Sequence, residues 1–176
     1  MRKLKVTEMN RLTPEEFKES RKLPLVVVLD HIRSLNNVGS VFRTSDAFRV
    51  ESIYLCGITA CPPNAEIHKT ALGAEETVDW KYFNDTLEAV ENLKKDGYTV
   101  CAIEQVEGSV MLDKLQLDKD KKYAIVMGNE VKGVQQSVVD KCDMCIEIPQ
   151  YGTKHSLNVS VTTGIVIWEF FNKMSL

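Results

Sequence analysis

Residues 148–171 read IPQYGTKHSLNVSVTTGIVIWEFF, and the fold turns on whether their second half is strand or helix. Asn158 to Thr162 alternates polar with apolar residues and is rich in β-branched side chains, the pattern of a half-buried strand. From Ile165 the apolar residues continue through Val166, Ile167, Trp168, Phe170 and Phe171, a length that suits a helix. Read as a helix, the segment places Ser156 and Asn158 on a first turn behind a glycine-containing loop. Polar groups then gather at the mouth of an otherwise apolar element.

The rest of the chain supplies the context. LPLVVVLD (23–30) is apolar almost throughout, as a parallel strand covered on both faces must be. A helix is expected over about Asn37–Phe48, followed by a strand at SIYLCG and a short helix at AEIHKTALG. An amphipathic helix at DTLEAVENLKKDG stops at Gly97, a residue suited to a helix C-terminus. YTVCAIE, KYAIVMG and MCIEIP read as further strands, with a short helix near Gln135–Asp140 between the last two. Ahead of them, Thr13-Pro14-Glu15-Glu16 offers an N-cap, a proline at the first helical position and acids in the first turn. Residues 1–24 thus read as a polar leader with one short helix, and residues 25–176 as the domain. Strands alternating with helices imply an α/β domain, a parallel sheet flanked by helices.

In such a sheet ligands sit beyond the carboxyl ends of the strands. Three loops at that edge are rich in functional groups: DHIRSLNNVGS, GNEVKG and PQYGTKHS. Taken singly, their residues have structural readings. Asn36 or Asn37 caps a helix, Gly39 relieves packing, Gly128 and Gly133 shape turns, and Ser156 is an N-cap. Arg43 is harder to place that way, because it lies in a stretch otherwise apolar at Val41, Phe42, Ala47 and Phe48, on a helix that begins at the ligand edge.

Bulk properties exclude several classes. A chain of 176 residues suits one domain with a substantial core. No apolar run is long enough to cross a bilayer, and MRKLKVTEMNRL lacks the apolar centre of a signal peptide, so a cytoplasmic protein is expected. Five scattered cysteines fit reduced thiols better than a disulfide framework. Cys142 and Cys145 form a C-x-x-C, which serves redox chemistry or half a zinc site in some proteins, but the simpler reading is small hydrophobes near strand ends, and no metal is expected. The net charge of −3 is unevenly spread: residues 1–24 hold seven Lys/Arg against four Glu, whereas residues 75–122 hold twelve acids against seven bases. A local phosphate-binding face is compatible with that distribution.

Three of these segments, in order, carry a resemblance. NNVGSVFRTSDA (36–47), with Asn37, Gly39 and Arg43, resembles the first motif of the SpoU (TrmH-type) branch of the SPOUT superfamily of RNA 2′-O-ribose methyltransferases. IVMGNEVKGV (125–134), with Gly128, Glu130 and Gly133, is similar to the second, and IPQYGTKHSLNVSVTTGIVIWE to the third, through Ile148-Pro149 and Ser156-Leu157-Asn158. HKTALGAEE (68–76) resembles the segment between them, and the likeness spans about residues 25–172.

The resemblance implies a parallel α/β domain whose C-terminal part forms a deep trefoil knot, a topology that general rules of chain connection would have excluded. It implies that the last segment is helical from about Ser156. It also implies S-adenosyl-L-methionine as cofactor, bound by Gly128, Ile148 and Leu157, with Asn129 and Gln150 as neighbours and Glu104 at the end of another strand. The implied reaction is 2′-O-methylation of a ribose in tRNA or rRNA. Arg43 is the implied catalytic group, with Asn37, Glu130 and Asn158 orienting it by hydrogen bonds and Ser156 placing an RNA phosphate or ordering the helix mouth. Lys69, Lys132, Lys154 and His155 are candidates for the RNA backbone; His31 and His68 are expected to be loop histidines.

Two rival readings follow from the same residues. A catalytically silent RNA-binding module of this fold would not need Arg43, Glu130 and Asn158 intact. A dinucleotide-binding enzyme would carry G-x-G-x-x-G after its first strand, which this chain lacks. The final segment also predicts association: Leu157, Val159, Val161, Ile165, Val166, Ile167, Trp168, Phe170 and Phe171 are too many apolar residues for one helix face. A homodimer through this helix is expected, in line with the resemblance.

Overall fold

The computed structural model describes residues 1–174. Seven strands form one sheet: β1 (Leu23–Asp30), β2 (Val50–Cys56), β3 (Asp79–Phe83), β4 (Tyr98–Ile103), β5 (Val110–Met111), β6 (Lys122–Met127) and β7 (Met144–Glu147). Their order is β3-β2-β1-β6-β4-β7-β5, and every pairing is parallel. Seven α-helices accompany them: α1 (Pro14–Glu19), α2 (Leu35–Ala47), α3 (Ala65–Ala71), α4 (Ala74–Thr77), α5 (Thr86–Lys95), α6 (Gln136–Val139) and α7 (Val159–Met174).

The two faces of the sheet divide the helices. On one, Leu25, Val27 and Leu29 of β1 pack with Phe17 of α1, Val38, Val41 and Phe42 of α2, Ile67 of α3, and Val166, Ile167 and Phe170 of α7. On the other, Val26 and Val28 pack with Ala89, Val90 and Leu93 of α5 and Val138 of α6. β1 is therefore covered on both sides, which is why its sequence shows no polar alternation. Residues before 25 contribute as well. Thr13 and Glu16 form a reciprocal capping box on α1, Phe17 is buried, and β1 already begins at Leu23.

Ser34 caps α2, its hydroxyl accepting from the Asn37 N–H, so neither Asn36 nor Asn37 is the cap. Gly39 has a packing role. A Cβ there would lie 2.1 Å from the Thr70 hydroxyl and 2.2 Å from the Ile67 carbonyl, so only glycine lets α3 rest directly on α2.

The final segment is a helix, but it starts later than expected. α7 opens at Val159, and Asn158 is its cap: Asn158 Oδ1 accepts from Ser160 N at 2.9 Å and from Val161 N at 3.4 Å. Ser156 and Leu157 lie in the preceding loop. An asparagine side chain satisfies the free N–H groups of a first turn, whereas a helix begun at Ser156 would have needed another acceptor. The strand-like alternation of residues 158–162 is overridden by burial along one side of the helix, where Val159, Thr163, Val166, Ile167, Phe170 and Met174 are all covered.

β7 lies on the far side of β4, yet α7 packs against α2 and β1. The loop between them, residues 149–158, therefore crosses the carboxyl edge of the sheet over three strand spacings, roughly 14 Å. Gln105 Nε2 donates to the His155 carbonyl at 3.0 Å and Asn158 Nδ2 to Asn37 Oδ1 at 3.2 Å, fixing it along the way. Among the described residues no helix is long and apolar enough to cross a membrane.

Candidate active site

A cavity of about 670 Å³ opens at the carboxyl edge, above β6, β4 and β7. Its walls come mainly from four loops, residues 103–106 after β4, 127–134 after β6, 146–150 around the end of β7, and 156–159 at the start of α7, with Gln136 and Val139 of α6 and Thr162 of α7. Its size is that of small-molecule and cofactor sites. Of the residues singled out in the sequence, Gly128, Asn129, Glu130, Lys132, Glu104, Ile148, Gln150, Ser156, Leu157 and Asn158 all line it.

The loop after β6 is held in a tight turn. Asn129 and Gly133 exchange backbone hydrogen bonds of 3.0 and 2.9 Å. Asn129 Oδ1 accepts from Val131 N and Lys132 N, and its Nδ2 donates to the His31 carbonyl at 2.6 Å. Gly128 is required by this turn, since a Cβ there would sit 2.3 Å from both the Gly133 carbonyl carbon and the Val134 nitrogen. Glu104 pins the far side, accepting from Val134 N and Gln105 N at 2.9 Å each.

Below the loop, the fully buried Asp30 accepts from the Thr86 hydroxyl at 2.6 Å and from both the backbone and the side-chain amide of Gln135. Sequence reading missed Asp30. A lone carboxylate closing an apolar strand was the available signal, because a buried acid must be fully hydrogen-bonded.

Glu130 joins this loop to the start of α2. Its oxygens accept from Arg33 N at 2.9 Å, Ser34 N at 3.0 Å and Asn37 Nδ2 at 3.1 Å. Burial opposes ionisation here, but the backbone N–H groups of Arg33, Ser34 and Glu130 itself, with the Asn37 amide, outweigh it and hold the carboxyl below its ordinary value. A carboxylate with a depressed folded-state pKa contributes stability above its unfolded pKa and loses it as pH falls through the folded value. Glu130→Gln is therefore expected to melt below the wild type at neutral pH, with the gap closing as pH drops beneath about 4.5. Thermal melts of both proteins across that range check this; a gap unchanged in acid contradicts it.

Arg43 is not where the sequence-based expectation put it. Asn37, Glu130 and Asn158 bond to one another and to backbone, and none bonds to Arg43. Arg43 lies six residues beyond Asn37 on α2, about 9 Å along the axis and about a third of a turn around it, and its side chain is exposed to solvent. The guanidinium is exposed, lines no part of the cavity, and makes no hydrogen bond or ion pair with any described residue. Lys69 pairs with Glu66 at 2.6 Å on α3, outside the cavity. Lys154 and His155 are exposed on the crossing loop. His31 lies against Gly57, and His68 faces Glu75. Burial pushes the Cys142 thiol up to about 12, which leaves little thiolate for redox or metal chemistry.

α2 and α7 start at the same edge and run side by side in the same direction. Asn37 meets Asn158, Thr44 comes within 3.9 Å of where a Cβ on Gly164 would stand, and Phe48 packs on Trp168 and Phe171 at ring separations of 5.6 and 5.2 Å. Opposite its buried face, α7 exposes Val161, Ile165 and Trp168, and Leu157 extends that stripe to the cavity rim.

The model of the SpoU rRNA Methylase family matches residues 24–168. A Staphylococcus aureus protein described as a TrmH family tRNA/rRNA methyltransferase is 32% identical over 159 residues, covering 90% of this chain. The chain spans 63% of that relative's length. Among solved structures, the A. aeolicus TrmH/SpoU tRNA modifying enzyme superposes with a TM-score of 0.79 at 27% identity, covering 91% of this chain and 81% of the other. The AdoMet-bound rRNA methyltransferase from Sinorhizobium meliloti gives 0.77 at 27% identity, covering 86% and 60%. With the family model matched across the sheet and all four cavity loops, the chain belongs to the SpoU rRNA Methylase family.

Proposed function

We propose that this protein is an S-adenosylmethionine-dependent RNA methyltransferase that methylates a ribose 2′-hydroxyl of tRNA or rRNA in the cytoplasm. The observation that carries the reading is the cavity: the second and third motifs of the family meet in it, at the carboxyl edge where α/β sheets bind ligands. The residues present fit the cofactor. Ile148 and Leu157 offer apolar walls for an adenosine, Gln150 a polar edge, and Glu104, Glu130 and Glu147 negative charge for a cationic sulfonium. S-adenosylmethionine supplies an already activated methyl group when bound.

What remains for the protein is to present a ribose hydroxyl in line and to ease the loss of its proton; positioning alone supplies much of the acceleration. An arginine is protonated at physiological pH, so Arg43 is assigned to grip the target phosphate and stabilise the developing alkoxide. Lys132, Lys154 and His155 are assigned to the RNA backbone, with Lys69 as an outlying contact. Asn37, Glu130 and Asn158 hold the motif loops together, and Ser156 borders the cavity where the phosphate enters. We also assign the crossing of residues 149–158 to the trefoil knot of the superfamily.

The exposed stripe on α7 supports a homodimer, since an apolar stripe of this kind is covered by the same surface of a second copy in a two-fold contact. Arg43 stands outside its own chain's cavity, on the helix beside the stripe, so a second copy would bring it to the partner's site. Trp168→Glu is expected to convert dimer to monomer at micromolar concentration and to reduce methyl transfer with it. Sedimentation of the variant with parallel activity assays checks this; a fully active monomer contradicts it. The cofactor assignment is tested by calorimetry with S-adenosylhomocysteine, which should bind and raise the Tm by mass action. Binding of NAD in its place would refute it.

A further inference from the structure

We propose that a second cavity, beside the edge strand β3, binds an arginine-rich segment of a partner protein, with a guanidinium stacked on Trp80 and paired with Glu76. The cavity measures about 470 Å³, and its lining includes Pro62 and Pro63 ahead of α3, His68 of α3, Glu75 and Glu76 of α4, and Trp80 of β3. It is separate from the methyl-transfer site. The first cavity stands over β6, β4 and β7, and β2 and β1 lie between β3 and β6. Binding here is therefore independent of the methyltransferase reading.

Side chains alternate along β3. Lys81 goes to one face, where its ammonium lies 5.6 Å from the centre of the Tyr54 ring, and Trp80 goes to the other, half-buried against the core that α2 and α3 cover. The α3–α4 corner beside the indole is fixed. Asn64 Oδ1 caps α3 by accepting from Glu66 N at 2.9 Å, and Glu75 accepts from Gly73 N at 3.0 Å while meeting His68 Nδ1. The Glu76 carboxylate is exposed and makes no hydrogen bond or ion pair with any described residue.

Charge selects the occupant. The hydrogen bond and charge of Glu75, and then the charge of Glu76, hold His68 above its ordinary pKa, so the field in the cavity already favours a cation. Lys69, the base next to His68, is spent on Glu66 at 2.6 Å. The acid-rich stretch 75–122, with twelve acids against seven bases, begins at this wall. Phosphates would be repelled here, which argues against RNA. A flat, delocalised guanidinium suits both features, since it stacks on an indole face and forks to a carboxylate. The volume is that of a site for a ligand larger than one side chain, so neighbours of the arginine would rest on the two prolines.

Fluorescence anisotropy of a fluorescein-labelled peptide of alternating arginine and alanine, titrated with the full chain, tests this. The wild type should bind it saturably, a matched lysine peptide more weakly, and a matched glutamate peptide not at all. Trp80→Ala should weaken binding about tenfold. Glu76→Lys, at an exposed position, should keep the melting temperature of the wild type and weaken binding by about as much. Saturating S-adenosylhomocysteine should leave the affinity of the peptide unchanged. A wild type that does not bind the arginine peptide overturns the proposal, as does equal binding by Glu76→Lys. Displacement of the peptide by S-adenosylhomocysteine would seat it among the acids of the first cavity and overturns it too. So does a labelled RNA oligonucleotide whose affinity falls in Trp80→Ala, or a Trp80→Ala variant that sediments as a monomer where the wild type does not, because the cavity would then belong to RNA or to a second copy. Failure of the wild type to transfer a methyl group to RNA would refute the methyltransferase reading and leave this one standing.

Discussion

Arg43→Ala is expected to slow methyl transfer by about a hundredfold or more while leaving S-adenosylhomocysteine affinity within a few fold of the wild type. The split follows from the structure. Arg43 lines no part of the cavity, so its removal leaves the cofactor walls untouched. It also makes no hydrogen bond with any described residue, so the fold loses little. What is removed is a planar, forked cation assigned to the phosphate and the developing alkoxide. Arg43→Lys should restore little, because one ammonium cannot reproduce two parallel hydrogen bonds. Single-turnover rates with saturating cofactor, alongside calorimetry, separate the two effects. Activity near wild type in Arg43→Ala would remove Arg43 from the chemistry, and a parallel loss of cofactor affinity would assign it to the wrong ligand.

Gly128→Ala is expected to act through the other half of the reaction. The added Cβ would stand 2.3 Å from backbone atoms of Gly133 and Val134, and neither can move as a side-chain tip can. The turn from Asn129 to Gly133 must shift, and it carries Glu130 and Lys132 of the cavity wall. Overpacking of this kind costs about 1–3 kcal/mol of stability, a Tm lowered by roughly 5 °C, and the displaced turn is expected separately to weaken cofactor affinity about tenfold. Gly152→Ala is the control, since nothing lies within 4 Å of a Cβ there. Calorimetry below the melting temperature of each variant reads the difference. Wild-type affinity in Gly128→Ala would show that the turn does not shape the pocket.

What could be read from the sequence, and what could not, follows from burial. β1 and β6 were legible as apolar runs because both faces of each are covered. β3, with Asp79 and Lys81 in a five-residue edge strand, and β5, with two residues, offered no such run, and charged edges are how sheets avoid further pairing. The start of α7 was misplaced by two or three residues because the cap is Asn158 and not Ser156, which only the hydrogen bonds reveal. The loops after β6 and β7 were legible because they follow strands of a parallel sheet, whereas the individual residues expected at the cofactor were those the family resemblance implied. Their partners were not legible: that Asn129 and Glu104 spend their side chains on one turn depends on distances no spacing encodes.

Transfer of a tritiated methyl group from S-adenosylmethionine to unmodified tRNA and rRNA, followed by digestion to nucleosides, reads the proposed activity itself. Label is expected in a 2′-O-methylated nucleoside with the wild type and almost none with Arg43→Ala. Binding of the cofactor with no label entering either RNA, or label found only on a base, would contradict it.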